Sequence, residues 1–124
     1  MRIIGIGVDV VEVERVRGIL DRRAGFGDRV FTPEEVARCK ETADPAPCLA
    51  ARWAAREAAV KALGGVPGLT WTDIRVEVGE EGRPTLALDG MARERAVAVG
   101  ADRVLLSLSH ERSLAAAFCV AVGD

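Results

Sequence analysis

Two carboxylates and a lysine stand where their types and spacing can do chemistry. Residues 2–11, Arg-Ile-Ile-Gly-Ile-Gly-Val-Asp-Val-Val, are apolar except for the leading arginine and Asp9. An ionised carboxylate buried in such a run costs on the order of several kcal/mol unless it is paired or bound to a metal. A buried ion pair or a turn cap are the plain alternatives. Glu57 and Lys61 are four apart in the alanine-rich run 47–63, so on a helix they project from one side. Alone, such a pair is an ordinary solvated one. Ala50 and Ala54 share that side, however, and leave a shallow surface beneath it. Mg²⁺ is typically held by one or two carboxylates, several waters and substrate phosphates. Asp9 and Glu57 offer the carboxylates, and Lys61 offers a cation for phosphate oxygens.

Those side chains need elements to position them. The β-branched run 2–11 predicts a strand. Alternation puts Asp9 on the face of Gly5 and Gly7, which is bare of side chains and has room for a ligand or a closely packed helix. Residues 12–23 predict a helix with Val13, Val16, Ile19 and Leu20 on one face, ended by Gly25 and Gly27. Thr32-Pro33-Glu34-Glu35 starts another, with a hydroxyl cap, a first-turn proline and two acids at the positive end. It fades near Thr42. The long helix 47–63 closes at Gly64-Gly65. Leu49, Trp53, Val60 and Leu63 form its anchoring arc. Arg56 falls inside that arc and is expected to carry its charge to solvent on its aliphatic stem.

Strands are predicted at 74–78 and 85–88 around a 79–84 turn, then a helix at 89–99. A strand pair, 103–109 and 114–122, closes the chain around His110-Glu111-Arg112-Ser113. The order β-α-α-α-β-β-α-β-β predicts one α+β domain over 1–124, an antiparallel sheet with helices on one face.

Composition narrows the function classes. At 124 residues, two domains would each bury too little surface. Aromatics are only 4%, so the core must be built from small aliphatic side chains, and a homo-oligomer is the simplest source of further burial. A net charge of −2 argues against a nucleic-acid partner, which calls for a broad basic surface. Cys39, Cys48 and Cys119 are odd in number and lack metal-ligand spacing, so three free thiols in a reducing compartment are expected. With no signal-peptide pattern at the start and no run long enough to span a bilayer, the expectation is a cytoplasmic protein without a membrane partner.

Several segments carry a family likeness. Gly5-Ile-Gly-Val-Asp-Val-Val-Glu-Val13 resembles the opening signature of the holo-acyl-carrier-protein synthases, and Phe31-Thr-Pro-Glu-Glu35 is similar to the segment that follows it. Arg52-Trp-Ala-Ala-Arg-Glu-Ala-Ala-Val-Lys-Ala-Leu-Gly64 resembles the second signature. Gly82-Arg-Pro84 and Ser107-Leu-Ser-His110 match later landmarks in the same order. One departure is Arg56, where the family usually has lysine. Charge is kept there but geometry is not.

The resemblance implies a 4′-phosphopantetheinyl transferase fold and transfer of 4′-phosphopantetheine from coenzyme A to a serine of apo acyl carrier protein, releasing adenosine 3′,5′-bisphosphate. By carry-over Asp9 and Glu57 bind Mg²⁺, Glu57 is the base for the serine proton, and Lys61 stabilises charge on the leaving group. Arg52, Lys61 and His110 hold coenzyme A at its phosphates, and backbone around Gly64 and Pro84 lines the nucleotide site. Arg52 points roughly 140° away from Glu57 on a helical wheel, a mismatch that a homotrimer with sites at subunit junctions would resolve. His110, the only histidine, has a plainer reading as a backbone-bonded turn residue. Carrier proteins are acidic, and Arg15 and Arg22, seven apart on one edge of the first helix, are the expected dock. Arg17 lies on another side, Arg23 overlies the apolar edge, and Glu14 and Asp21 dilute the field. The competing reading is a non-catalytic trimer that binds coenzyme A or another nucleotide, with Asp9 structural. Fatty-acid and polyketide carriers both stay open.

Overall fold

The computed structural model describes residues 1–124. Strand β1 (Arg2–Glu12) leads into α1 (Val13–Arg22), then α2 (Phe26–Val30), α3 (Pro33–Cys39) and the long α4 (Pro45–Ala62). A 3-10 turn (Trp71–Asp73) precedes β2 (Ile74–Val78) and β3 (Pro84–Leu88), and α5 (Gly90–Val99), β4 (Arg103–His110) and β5 (Leu114–Gly123) complete the chain. The strands are antiparallel, but they form two sheets, β1-β5-β4 and β2-β3, where one was expected. Between β3 and β4 lies a groove of about 390 Å³ that α5 also lines through Arg93, Ala96 and Val97, so no ladder joins the sheets.

The main sheet is built around β5, which pairs Asp9 with Ala117 on one side and Leu108 with Ala117 on the other. Helix α4 crosses one face of it. The helix can lie close because its inward residues are alanines: Ala54, Ala55, Ala58 and Ala59 are fully buried. A Cβ on Gly5 would run into the Ala62 carbonyl oxygen, and one on Gly7 into that of Ala58. Of the two occupants the glycine face allowed, a closely packed helix is the one present. Helix α5 adds Ala92 and Ala96 to the same core cluster as Ile74, Val104 and Cys119.

The local boundaries follow ordinary rules. Helix α4 starts two residues before the expected 47. Asp44 caps it by accepting the Ala46 N–H at 3.3 Å, and Pro45 occupies the first position, where its missing N–H costs nothing. At the other end Arg95 of α5 donates Nε to the Leu63 carbonyl at 2.9 Å. Gly25 takes a left-handed φ of 82°, ends the first helix as expected and begins the short α2, an element absent from the expected order.

Two sequence expectations are corrected around α3. Cys39 and Cys48 form a disulfide and only Cys119 is a free thiol. The nine-residue separation fits no metal motif, and the pairing arises because α3 and α4 bring the two Cα atoms to 5.4 Å. Arg56 does not reach solvent. It is fully buried, and its guanidinium grips Glu35 through Nη1 at 3.0 Å and Nη2 at 2.5 Å, with its Cζ 5.4 Å from the Phe31 ring centroid. A buried cation needs a buried anion, and Glu35 is supplied by the capping box: it receives the Thr32 N–H while its own N–H bonds the Thr32 hydroxyl.

Candidate active site

The close packing of α4 on the glycines of β1 brings the predicted carboxylates together. Lys61 reaches back from the helix and donates Nζ to the Val8 carbonyl at 2.9 Å and to Asp9 Oδ1 at 3.5 Å. Asp9 is mostly shielded, at 17% side-chain exposure, whereas Lys61 is open at 55%. Glu57 is half-buried one turn before Lys61. Its carboxyl is raised above the ordinary range, first by burial and then by the charge of Asp9, against the pull of Lys61 and Arg15. Asp9 raises the Glu57 carboxyl by more than either Lys61 or Arg15 lowers it, a repulsion that a cation between the two would relieve.

The donor set suits Mg²⁺. No three His, Cys, Asp or Glu side chains converge into a protein-only metal cage. A pair of hard oxygen ligands with room for water and phosphate is the usual Mg²⁺ arrangement. Gly64 follows Lys61 at the carboxyl end of α4, in a left-handed φ of 71°. It therefore belongs to the same end of the helix as the lysine.

Arg52 does not join this cluster within one chain. It lines a separate groove of about 710 Å³ with Thr32, Arg38, Arg75 and Thr85, and none of Asp9, Glu57 and Lys61 borders it. Pro84 sits beside Thr85 at the start of β3, so Arg52 and Pro84 are associated with each other and not with Asp9. Arg52 is buried and its Nε has no hydrogen-bond partner. His110 is exposed at the end of β4, opposite Ala115. It lies two strands from β1, roughly 10 Å to the side of the Asp9 strand. The expected site residues thus fall into three places: Asp9, Glu57, Lys61 and Gly64; Arg52 and Pro84; and His110.

On α1, both Arg15 and Arg22 are exposed. Arg15 lies toward the carboxylates, since its charge lowers the Glu57 carboxyl. Arg22 folds over Gly18, its Nη1 2.7 Å from where a Cβ would be. Arg17 is tied to Asp44 at 2.8 Å and to Glu14 at 3.1 Å. Sequence reasoning missed Arg38, Arg75 and the Glu35–Arg56 pair. Arg56 itself was the available signal, because a guanidinium in an apolar arc demands a partner. The spacing Thr32-x-x-Glu35 marked a capping box, and only the packing of α3 on α4 makes Glu35 that partner.

Residues 5–119 match the family model of the 4′-phosphopantetheinyl transferase superfamily. A holo-[acyl-carrier-protein] synthase of Anaeromyxobacter sp. (strain K) is 47% identical, covering 98% of this chain and 97% of that protein. One from Streptomyces avermitilis is 43% identical over 99% of this chain and 100% of its own length. Among solved structures, the holo-ACP-synthase of Plasmodium yoelii has a TM-score of 0.86 at 32% identity, covering 99% of this chain and 97% of that one. A holo-(acyl-carrier-protein) synthase from Bacillus anthracis str. Ames in complex with CoA (3′,5′-ADP) has a TM-score of 0.79 at 30% identity, with 98% of each chain covered. With matches of this extent and a carboxylate pair seated between its first strand and long helix, the chain belongs to the holo-[acyl-carrier-protein] synthases of the 4′-phosphopantetheinyl transferase superfamily.

Proposed function

We propose that this protein, as one domain over 1–124, moves the 4′-phosphopantetheine group of coenzyme A to a serine of an apo acyl carrier protein in a Mg²⁺-dependent reaction. The observation that carries the reading is the convergence of Asp9, Glu57 and Lys61 at the β1–α4 contact. Asp9 and Glu57 would hold the cation. When bound, it polarises the attacked phosphorus and neutralises charge on the departing phosphate. Glu57, whose carboxyl is raised by burial and by Asp9, is suited to take the serine proton directly or through a water. The serine oxygen forms the new P–O bond, and the bond to adenosine 3′,5′-bisphosphate breaks. Lys61, open to solvent and four residues on, offsets the charge that builds on that leaving group. Gly64 and Pro84 line the nucleotide site, and Arg52 and His110 bind coenzyme A phosphates.

One chain keeps Arg52, Pro84 and His110 apart from the carboxylates, and a homotrimer with junctional sites would unite them. The outer face of the main sheet supports such an association. Ile6, Val8, Val10 and Phe118 are 44–62% exposed there, across the sheet from α4, an apolar patch that calls for cover. No helix is long and apolar enough to cross a membrane, and a transferase that draws on coenzyme A would work in the cytoplasm.

The deciding experiment incubates the protein with apo carrier, coenzyme A and Mg²⁺ and weighs the carrier. A mass gain equal to phosphopantetheine is expected, and an unchanged carrier would leave only a coenzyme A binder. Light scattering of Val8→Glu with Phe118→Glu is expected to show smaller particles than the parent chain. An unchanged mass would remove this face from the assembly.

A further inference from the structure

The Arg52 groove contains a guanidinium in an uncommon electrostatic position. Arg52 keeps only 7% exposure, its Nε is unpartnered, and its one hydrogen bond is a long one to the Cys48 carbonyl at 3.4 Å. Burial weighs first against the charged form of Arg52 and holds it below the ordinary range; the charge of Glu35 supports that form, while Arg38 and Arg56 oppose it. Yet Glu35 cannot pair with Arg52, because its oxygens are occupied. Oε1 accepts the Thr32 N–H at 2.8 Å and Arg56 Nη2 at 2.5 Å. Oε2 accepts the Val76 N–H at 2.9 Å and Arg56 Nη1 at 3.0 Å. A carboxylate offers about four acceptor sites. All are used.

The same pair ties down the walls. Arg56 Nη1 also donates to the Arg52 carbonyl at 3.3 Å, and Nε to the Trp71 carbonyl at 3.0 Å. Thus α3, α4, the 71–73 turn and β2 meet at one ion pair. The Cys39–Cys48 bond joins α3 to α4 a second time, leaving Arg52 between two cross-links.

We propose that the Glu35–Arg56 pair is a positioning unit that holds Arg52 unpaired at the wall of the groove, where it takes a phosphate of the donor substrate. Arg56 is fully buried, and Glu35 borders the groove with its oxygens already taken, so the pair acts on the donor through Arg52. It therefore sets donor affinity and leaves the transfer step alone. This rests on the reading of the chain as a transferase that draws on coenzyme A.

The test is steady-state kinetics with coenzyme A, Mg²⁺ and apo carrier on Arg56→Lys, Arg52→Ala and the double variant. A lysine keeps the charge but cannot fork across both Glu35 oxygens and two carbonyls. The expected result for Arg56→Lys is a roughly fivefold rise in KM for coenzyme A, the weight of about one hydrogen bond, with kcat within twofold and KM for carrier unchanged. On the Arg52→Ala background the same substitution should add nothing, as coupled residues require. A rise of equal size on that background, a fall in kcat instead, or no change in KM for coenzyme A would each overturn the proposal. Glu35→Gln, which keeps the side-chain shape, carries the same comparison should Arg56→Lys fail to fold. Transfer by the parent chain with none of these KM effects defeats the positioning role alone. No transfer by the parent chain defeats the transferase reading.

Discussion

Lys61 Nζ lies 3.5 Å from Asp9 Oδ1 and 2.9 Å from the Val8 carbonyl oxygen, so a lysine near the end of α4 closes onto the carboxylate strand 52 residues earlier. The contact exists because β1 has no side chain at Gly5 and Gly7 to hold the helix away. It makes one small neighbourhood of an acid, a base candidate and a cation.

Asp9→Asn and Glu57→Gln are each expected to lower transfer by at least ~100-fold, the scale of a lost general base, while leaving the circular dichroism spectrum unchanged. Near-normal turnover of either variant at limiting Mg²⁺ would dismiss the metal assignment.

The glycine contact gives a structural counterpart. Gly7→Ala forces a methyl group into the Ala58 carbonyl, and overpacking of this kind costs about 1–3 kcal/mol. Urea unfolding should show that loss together with reduced turnover. Full stability and activity would mean that α4 can shift without consequence.

Acid stability follows from Glu35. Burial raises its carboxyl, but hydrogen bonds and charge from Arg56, with the Thr32 and Val76 N–H groups, outweigh that and hold it below the ordinary 4.5. A depressed folded value means the contribution is complete above the unfolded pKa and drains away as pH falls from about 4.5 through the folded value. Unfolding free energy should therefore drop over that window in the parent chain and drop less steeply in Glu35→Gln. Equal slopes would contradict it.

The disulfide predicts a thiol count. Denatured, unreduced protein should titrate one thiol, Cys119, and reduced protein three. Replacing both Cys39 and Cys48 by alanine should cost about 2–3 kcal/mol by loop-closure entropy. Three thiols before reduction would refute the bond.

Arg15→Glu with Arg22→Glu should raise KM for the acidic carrier by tenfold or more, on the order of 1.4 kcal/mol, and leave coenzyme A binding unchanged. Added salt should narrow the gap between variant and parent. Equal loss of both substrates would indicate misfolding instead.

Much of this molecule was readable along the chain. Strand β1, the Thr32 cap and the alanine helix follow from side-chain branching, capping chemistry and a 3.6-residue period, all local properties. Asp9 stood out because a carboxylate is costly in an apolar strand, whereas Glu57 and Lys61, alone an ordinary pair, took their roles from the likeness of 52–64 to a family signature. Contacts between distant segments were a different matter. That Cys39 meets Cys48, that Glu35 holds Arg56, and that Arg52 opens into a groove away from Asp9 depend on how α3 and α4 pack. Packing is fixed by shape across many residues, and no spacing encodes it. Nor does alternation along β2 and β3 reveal that they stand as a separate sheet, since a strand pattern records which face is buried and not which edge is paired.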